Sequence, residues 1–287
     1  MKASILTSTA LCALLLPSAW SQVNGSPDNA TQSATQENVK LTDARKVIER
    51  YAELTGVQKM IETTTSSRMK GELEIVGMGI KGPIEILSHK SNKLSLTIDM
   101  TGAGKVRQGF DGETAWSVHP MMGAVVQEGS ERLQTVMRAN YAEALKMPAS
   151  LERLETVARM DFEGKDCWKL MVVAKLPEGM DATETRTART THEYYDVESG
   201  LLIGRESIAS APTGDVRVVT TFSEYKQLGP RLQPTVTVQK MTGQEVKIST
   251  TSVTYDDIED HAFDLPEEIR VQVDSMKKQP VEAGAKQ

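Results

Sequence analysis

The amino-acid sequence predicts an α+β fold, in which a large curved antiparallel sheet, an incomplete barrel, has helices covering its concave face. The first observation is that apolar and polar residues alternate with a period of two in many stretches between Ser66 and Tyr255. The second is that short turn signals separate many of these stretches, which makes successive strands antiparallel neighbours. The third is that two segments instead have helical periodicity. A twisted sheet of this many strands curls, and helices on its concave side can leave an apolar cavity.

Two segments are predicted to be helices. The first runs from about Leu41 to Thr55, where Thr42 can cap the start and Gly56 can end the helix. The apolar residues of this segment fall on one face at helical spacing: Ala44, Val47, Ile48, Tyr51 and Leu54. The second helix is capped by Ser130 and ends before Pro148. Its apolar stripe consists of Leu133, Val136, Met137, Tyr141, Ala144 and Leu145.

The clearest strand is KLSLTIDM at 93–100, in which every second residue is apolar: Leu94, Leu96, Ile98 and Met100. Similar alternation predicts further strands at 68–76, 83–89, 104–110, 114–118, 157–162, 166–174, 187–196, 201–209, 216–226, 233–240 and 245–255. The segment GMGIKG, Gly77 to Gly82, matches the letters of a dinucleotide-binding loop. Such a loop must open a helix. Because Pro83 and another strand follow, we interpret the segment as a hairpin connection.

The N-terminus has the pattern of a cleavable export signal. Lys2 is followed by the apolar run ASILTSTALCALLLP, which is shorter than the ~20 residues that a membrane-spanning helix needs. The sequence SAWSQ then places Ala19 and Ser21 at the −3 and −1 positions of a cleavage site. We therefore predict a signal peptide at 1–21, cleavage between Ser21 and Gln22, and a periplasmic location. The alternative is that the signal is retained as an anchor.

The rest of the chain is predicted to be one domain between two disordered ends. Residues 22–40 and 271–287 contain few apolar side chains, so they cannot bury enough surface to fold and are expected to be a linker and a tail. The domain at 41–270 is long enough to build its own core. No composition shift within it indicates a second domain boundary.

The charge balance argues against nucleic acid as a partner. The 33 Lys and Arg residues stand against 39 Asp and Glu residues, which gives a net charge of −6. Removal of Lys2 with the signal leaves 32 basic residues and takes the net charge to −7. The long-range field of an acidic protein repels polyanions. Cleavage also removes Cys12 and leaves Cys167 without a cysteine for an intrachain disulfide.

The sequence contains no recognisable catalytic or metal-binding constellation. The four histidines are scattered along the chain and none belongs to an HExxH helix: His89, His119, His192 and His261. His192 precedes Glu193 in a strand-like stretch, where neighbouring side chains point to opposite faces and cannot share a metal. No G-x-S-x-G motif supplies a serine nucleophile. Cys167 lies in a predicted strand, where a lone cysteine is typically a small core residue. We therefore predict no enzymatic activity, no cofactor and no metal.

The most informative short stretch is GFDGETAWSVHP, Gly109 to Pro120. Asp111 and Gly112 form a strong signal for a tight hairpin turn, since both residue types tolerate a positive φ. Counting by two places Thr114 and Val118 on the same face as Trp116. We expect this hairpin to point the tryptophan ring to the covered side of the sheet.

Several stretches, taken in order, carry a resemblance to a known family. They are ARKVIERYAELTGVQKM, RMKGELEI, FDGETAWSVHPMMG, YYDVESGLLIGRE, FSEYKQLGPRLQPTVTVQ and FDLPEEI. Together they resemble the leading helix, first strand, DG-x-x-x-W-x-x-x-P hairpin and closing strands of the LolA/LolB-like outer-membrane lipoprotein-sorting family. The resemblance covers 41–269 and matches the family's tryptophan with Trp116. It implies an incomplete antiparallel barrel with helices as a lid, and a cavity that shields acyl chains in the periplasm.

These observations predict an exported, non-enzymatic binding or carrier protein for acyl chains or lipoproteins in the bacterial cell envelope. Its expected partners are acyl-chain, lipid or lipoprotein cargo and envelope membrane proteins. Each buried methylene contributes about 0.8 kcal/mol, so an apolar cavity binds an acyl chain without polar chemistry. The residues predicted to line this cavity are Leu94, Leu96, Ile98, Trp116, Val118, Leu133, Met137 and Tyr141. The alternative is an interaction module with a filled core that docks onto an envelope complex.

Overall fold

Thirteen strands form one antiparallel sheet in the computed structural model, which describes residues 41–102, 104–141, 150–177, 180, 189–211 and 214–278. The bounds are β1 Ser66–Ile75, β2 Ile80–His89, β3 Lys93–Met100, β4 Gly104–Phe110, β5 Ala115–His119, β6 Gly123–Val126, β7 Leu151–Phe162, β8 Lys165–Ala174, β9 Thr190–Asp196, β10 Leu202–Ala211, β11 Gly214–Leu228, β12 Arg231–Met241 and β13 Gln244–Tyr255. Their order across the sheet is β6-β5-β4-β3-β2-β1-β13-β12-β11-β10-β9-β8-β7.

The sheet consists of two meanders joined in its middle. Strands β1–β6 and β7–β13 each pair with their neighbours in sequence, and β1 pairs with β13 to connect the two halves. Because β6 and β7 lie at opposite ends of the order, the sheet is an open, incomplete barrel. The predicted α+β class and antiparallel topology are confirmed.

Four helices accompany the sheet in the part of the chain that the structure describes: α1 Ala44–Thr55, α2 Val57–Thr63, α3 Gly129–Ala139 and α4 Glu267–Lys278. The predicted caps were partly wrong. Asp43, not Thr42, caps α1 through its carboxylate, which accepts a hydrogen bond from Arg45 N at 2.9 Å. Gly56 ends α1 with φ 65°, as predicted. Glu128, not Ser130, precedes α3, and its side chain makes no capping hydrogen bond.

Two strand predictions needed correction. Strand β6 was missed because GAVV has only four residues and no polar alternation. Strand β7 begins at Leu151, not at 157, because two register shifts against β8 interrupt its alternation. The glycine-rich segment after β1 is a hairpin connection, as predicted, and Ile75 pairs directly with Ile80 across it. Of the predicted second helix, Ala144 and Leu145 lie outside the described residues.

The two faces of the sheet are covered differently. We call the face that carries Leu96 and Leu170 the inner face, and the opposite face, which carries Trp116 and Tyr194, the outer face. Helices α1, α2 and α3 lie on the inner side, as the resemblance implied. Helix α4 lies on the outer side, where Glu268 forms an ion pair with Arg107 and Gln272 Nε2 donates to Ala124 O at 2.7 Å.

Helix α4 corrects the predicted domain boundary. Residues 271–278 were expected to belong to a disordered tail, yet they continue a helix that begins at Glu267. Ile269 is fully buried and anchors this helix on the sheet. The sequence did not predict this helix, because the apolar Val271 is exposed and many of the other residues of the helix are charged. None of the helices in the described ranges is long and apolar enough to cross a membrane.

Candidate ligand-binding site

The strand register divides the eight predicted cavity residues between the two faces. Residues paired directly across antiparallel strands project from the same face. Ser95 pairs with Gly109, and Gly109 pairs with Trp116, so Trp116 lies on the outer face with Ser95. Val118 shares that face, two residues further along β5. The other six belong to the inner face or to the segment over it: Leu94, Leu96, Ile98, Leu133, Met137 and Tyr141. The eight side chains therefore cannot line one cavity.

The inner face of β1–β4 and β13 carries a continuous apolar surface, which we call the inner wall. All of its members are buried, and Leu96 and Ile98 have no exposed area. Partly buried methionines and isoleucines pack at its border, among them Met69 and Met241. The wall consists of Leu73, Ile75, Ile84, Leu96, Ile98, Met100, Val106, Val246 and Ile248.

Helix α3 covers one end of the inner wall and is held there by a buried chain of polar contacts. Arg138 Nη1 donates to Gln108 Oε1 at 2.7 Å, and Gln108 Nε2 donates to Thr135 Oγ1 at 2.8 Å. Thr135 Oγ1 in turn donates to Gln127 Oε1 at 2.7 Å. Burial lowers the pKa of Arg138 to about 10, because the protein around the guanidinium replaces water. Polar contacts of this kind are directional, so they fix the position of α3 on the wall.

Apolar contacts add to this attachment. Ala139 of α3 joins Leu94, Phe110 and Ala115 in one buried cluster, and Val136 packs against it. Beyond the helix, the Tyr141 hydroxyl lies 3.0 Å from Thr64 Oγ1, next to the end of α2. Leu133 is buried, whereas Met137 and Tyr141 are partly exposed. Three of the predicted residues thus come from the segment that covers the wall.

A row of polar side chains on β12 borders the inner wall. Gln239 pairs across the strands with Val246 of the wall. Among the described residues, Gln239 Oε1 and Arg231 Nε are buried and have no hydrogen-bond partner. A buried polar atom without a partner costs about 1–3 kcal/mol. Gln239 Oε1 therefore offers an acceptor beside the apolar inner wall, a combination that suits amphiphilic ligands.

Helix α1 covers the other half of the inner face, above a buried ion pair. Glu193 has no exposed area, and its Oε1 lies 2.9 Å from Arg205 Nη2. The Tyr195 hydroxyl donates to Glu193 Oε2 at 2.7 Å, and its ring meets Tyr51 of α1 edge-on at 5.5 Å between centroids. Burial and then the Glu193 carboxylate raise the pKa of Tyr195 well above its usual value. Helix α1 thus buries a polar network together with apolar side chains on this half of the inner face.

The Asp-Gly hairpin has a different turn from the one predicted. Gly112 has φ 108°, but Asp111 does not have a positive φ. Its carboxylate Oδ1 instead accepts hydrogen bonds from Glu113 N at 2.8 Å and Thr114 N at 2.7 Å. The aspartate is therefore needed for its side chain. The hairpin presents Trp116 as predicted, but on the outer side.

Gly109 is required by the position of that tryptophan. A Cβ atom at residue 109 would lie 2.6 Å from Trp116 Cζ2 and 2.8 Å from Leu94 O. We expect Gly109→Ala to lower the free energy of unfolding by about 1–3 kcal/mol, because either the ring or the β3 backbone must shift. Urea unfolding followed by circular dichroism measures the loss. An unchanged midpoint would show that the ring moves aside freely. Ala124→Gly is the control for the effect of exchanging alanine and glycine within a strand.

Cys167 and His192 lie in strands, as predicted. No cluster of three metal-ligating side chains exists among the described residues. Cys167 is fully buried in β8, and burial raises its pKa to about 12. A thiol with so high a pKa is a poor nucleophile at neutral pH. His192 and Glu193 lie on opposite faces, as predicted, since His192 pairs with Met171 and Glu193 with Leu170.

A cavity that sequence reasoning missed lies on the outer face of β7–β11. Its volume is about 500 Å³, within the range of small-molecule sites. The lining residues are Arg153, Met171, Val173, Thr190, His192, Glu206, Ser207, Ile208 and Arg217. The sequence of β8 contains a signal for an apolar outer face, since Leu170 to Ala174 are all apolar. A strand that is apolar on both faces is covered on both sides.

Comparisons with solved structures address the fold. A LolA superfamily protein from Nitrosomonas europaea aligns with a TM-score of 0.53 at 11% identity, over 78% of this chain and 98% of that protein. A DUF1329 family protein from Desulfovibrio piger aligns with a TM-score of 0.50 at 14% identity, over 78% and 98% of the two chains. The fold is LolA-like.

The LolA-like assignment agrees with the resemblance seen in the sequence. Both solved structures align over nearly their whole length and over 78% of this chain, so the likeness extends over most of the fold. A putative outer membrane lipoprotein-sorting protein domain from Vibrio parahaemolyticus also matches, with a TM-score of 0.49, 13% identity and 77% and 97% coverage. No family model and no curated protein sequence matches the chain.

Proposed function

We propose that this protein is an exported, non-enzymatic carrier that binds acyl chains, free or attached to a lipoprotein, in the periplasm. The single observation that carries the proposal is the inner wall, a continuous apolar surface contributed by five neighbouring strands of an open LolA-like sheet. Each methylene that leaves water on such a surface contributes about 0.8 kcal/mol. Enclosure of ten methylenes would contribute about 8 kcal/mol before the costs of association.

The contacts of α3 support a role for this helix as the lid of the site. Its hold on the wall depends on the Arg138, Gln108 and Thr135 contacts as well as on a small apolar cluster. Breaking the polar contacts exposes groups that water can satisfy, so opening costs less than separating an entirely apolar interface. Gln239 of the β12 row would then meet the head of the cargo, since its Oε1 can accept a hydrogen bond beside Val246 of the wall.

The test is the uptake of a fluorescent fatty acid by the mature protein. We expect the emission of a dansyl-labelled undecanoic acid to rise on binding to the wild-type protein. Met241 packs at the border of the inner wall, so Met241→Glu should weaken binding at least tenfold, because it places a charge beside the acyl chain.

Met160→Glu is the matched control. Met160 is an exposed methionine of the edge strand β7, remote from the inner wall in the strand order. It should bind the probe as the wild-type protein does. Equal probe binding by Met241→Glu and Met160→Glu would show that the inner wall is not the binding site. Absence of uptake by the folded wild-type protein would contradict the carrier function.

A second candidate function is an interaction module with a filled core. The observation that favours it is the complete burial of Leu96 and Ile98 in the structure. If the wall stays closed, cargo cannot reach it and the outer surface must carry the function. Hydrogen exchange separates the two functions: the carrier requires α3 amides to exchange much faster than those of β3, whereas a permanently filled core requires similar protection of both.

A further inference from the structure

The outer face of the sheet half formed by β7–β11 has a second apolar region, separate from the inner wall. Phe162, Cys167 and Tyr194 form a buried cluster there, and the rings of Phe162 and Tyr194 stack at 4.0 Å between centroids. Tyr194 and His192 project from the same face of β9, two residues apart. His192 also lines the cavity of about 500 Å³, so this cavity lies next to the buried cluster on the outer face.

The register shows that the cavity crosses five strands. Met171, His192 and Glu206 pair in one row across β8, β9 and β10. Arg153 of β7 and Arg217 of β11 lie at its two ends. With about 4.8 Å between neighbouring strands, these ends are roughly 19 Å apart. The cavity is therefore an elongated groove, and a chain-like ligand matches its shape.

The floor and the ends of the groove differ in chemistry. Met171, Val173 and Ile208 make the floor apolar, and Val173 is almost fully buried. At the β11 end, Arg217 forms an ion pair at 2.5 Å with Glu206, which itself lines the groove. At the β7 end, Arg153 uses Nε and Nη2 for Glu155, which pairs with Met171 and projects from the same face. Glu155 is 40% exposed and Glu206 only 17% exposed, so water screens the charge of Glu155 more, and a ligand carboxylate meets less repulsion at Arg153 than beside Glu206.

We propose that this groove is a second ligand site, which binds a free single-chain carboxylate of the fatty-acid type. Its carboxylate lies at Arg153, and its hydrocarbon chain extends over Met171 and Val173 towards Ile208. This site is independent of the inner wall, because the two lie on opposite faces and in opposite halves of the sheet. An acyl chain attached to a protein through an amide or ester has no free carboxylate, so the groove distinguishes free acids from lipoprotein cargo.

The experiment compares dodecanoate with dodecanol by calorimetric titration below their micellar concentrations. Arg153→Ala should weaken dodecanoate binding about tenfold, which corresponds to the loss of one charge-assisted hydrogen bond, and should leave dodecanol binding within twofold. Arg159→Ala is the matched control. Arg159 lies on the same strand but stacks over Trp168, which belongs to the inner face, and the variant should bind both ligands as wild type does.

Methyl NMR spectra locate the ligand independently of these variants. Saturation with dodecanoate should shift the methyl signals of Met171 and Ile208, in addition to any shift of Leu96 and Ile98 caused by binding to the inner wall. The proposal is overturned if Arg153→Ala and Arg159→Ala bind dodecanoate equally, or if only the Leu96 and Ile98 signals shift. The latter result would leave the carrier function of the inner wall intact, so failure of the two proposals can be distinguished.

Discussion

Replacing Arg205 with alanine will lower the free energy of unfolding by about 3 kcal/mol, because it removes the guanidinium that faces a fully buried carboxylate. Glu193 has no exposed area, and both its oxygens lie in contacts under α1. Arg205 is itself about one third exposed, which places the loss at the lower end of the range for a buried pair. Urea unfolding at neutral pH measures the change.

Two further variants test the physical reason for this loss. The double variant Glu193→Leu with Arg205→Leu should be more stable than Arg205→Ala alone, because it leaves no buried charge. Lys226→Ala removes a partner from an ion pair with Glu224 in which both side chains are about 60% exposed, and it should change stability by less than about 1 kcal/mol. If Arg205→Ala matches Lys226→Ala, the buried pair contributes little to stability.

Trp116→Ala is expected to cost about 3–5 kcal/mol of stability and to leave the affinity of the inner wall for acyl probes unchanged. The side chain is almost fully buried and lies against Gly109. It belongs to the outer face, so its loss creates a cavity on the side opposite the wall. The measurements are urea unfolding and probe titration under conditions in which the variant is still folded.

A control for this prediction keeps an aromatic ring at the position. Trp116→Phe should lose less stability than Trp116→Ala, because the indole Nε1 has no hydrogen-bond partner within the described structure and its removal sacrifices no bond. A tenfold drop in probe affinity for folded Trp116→Phe would instead assign the tryptophan to the ligand site. Trp116 would then have a direct role in binding.

The two halves of the sheet differ in what they can do. In β1–β4 the inner face is apolar and the outer face carries charged residues such as Arg68, Glu85 and Arg107. In β8 both faces are apolar from Leu170 to Ala174, with α1 packed over the inner face and the groove on the outer face. One half therefore supplies the inner wall, and the other supplies a core beneath α1 and a second apolar surface.

The sequence by itself determined the architecture of this protein. Strict alternation in stretches such as 93–100 requires strands with one covered face, and short turns between them require antiparallel neighbours. The glycine-rich hairpin and the Asp-Gly hairpin followed from local backbone chemistry. The inward direction of Leu94, Leu96 and Ile98 followed from the same period. These features depend on contacts between residues close in the chain, so local pattern was enough to predict them.

Only the tertiary structure determined which face of each strand packs against a helix. A period of two assigns residues to one of two faces, but it does not say which face in one strand continues which face in the next. For that reason Trp116 and Val118 were grouped with Leu94, although the register places them on the opposite side. The β7–β11 groove and the position of α4 on the sheet depend on contacts between residues far apart in the chain. The apolar run in β8 indicates that both faces of that strand are covered, but the residues that meet there depend on register and long-range packing, which no local stretch encodes.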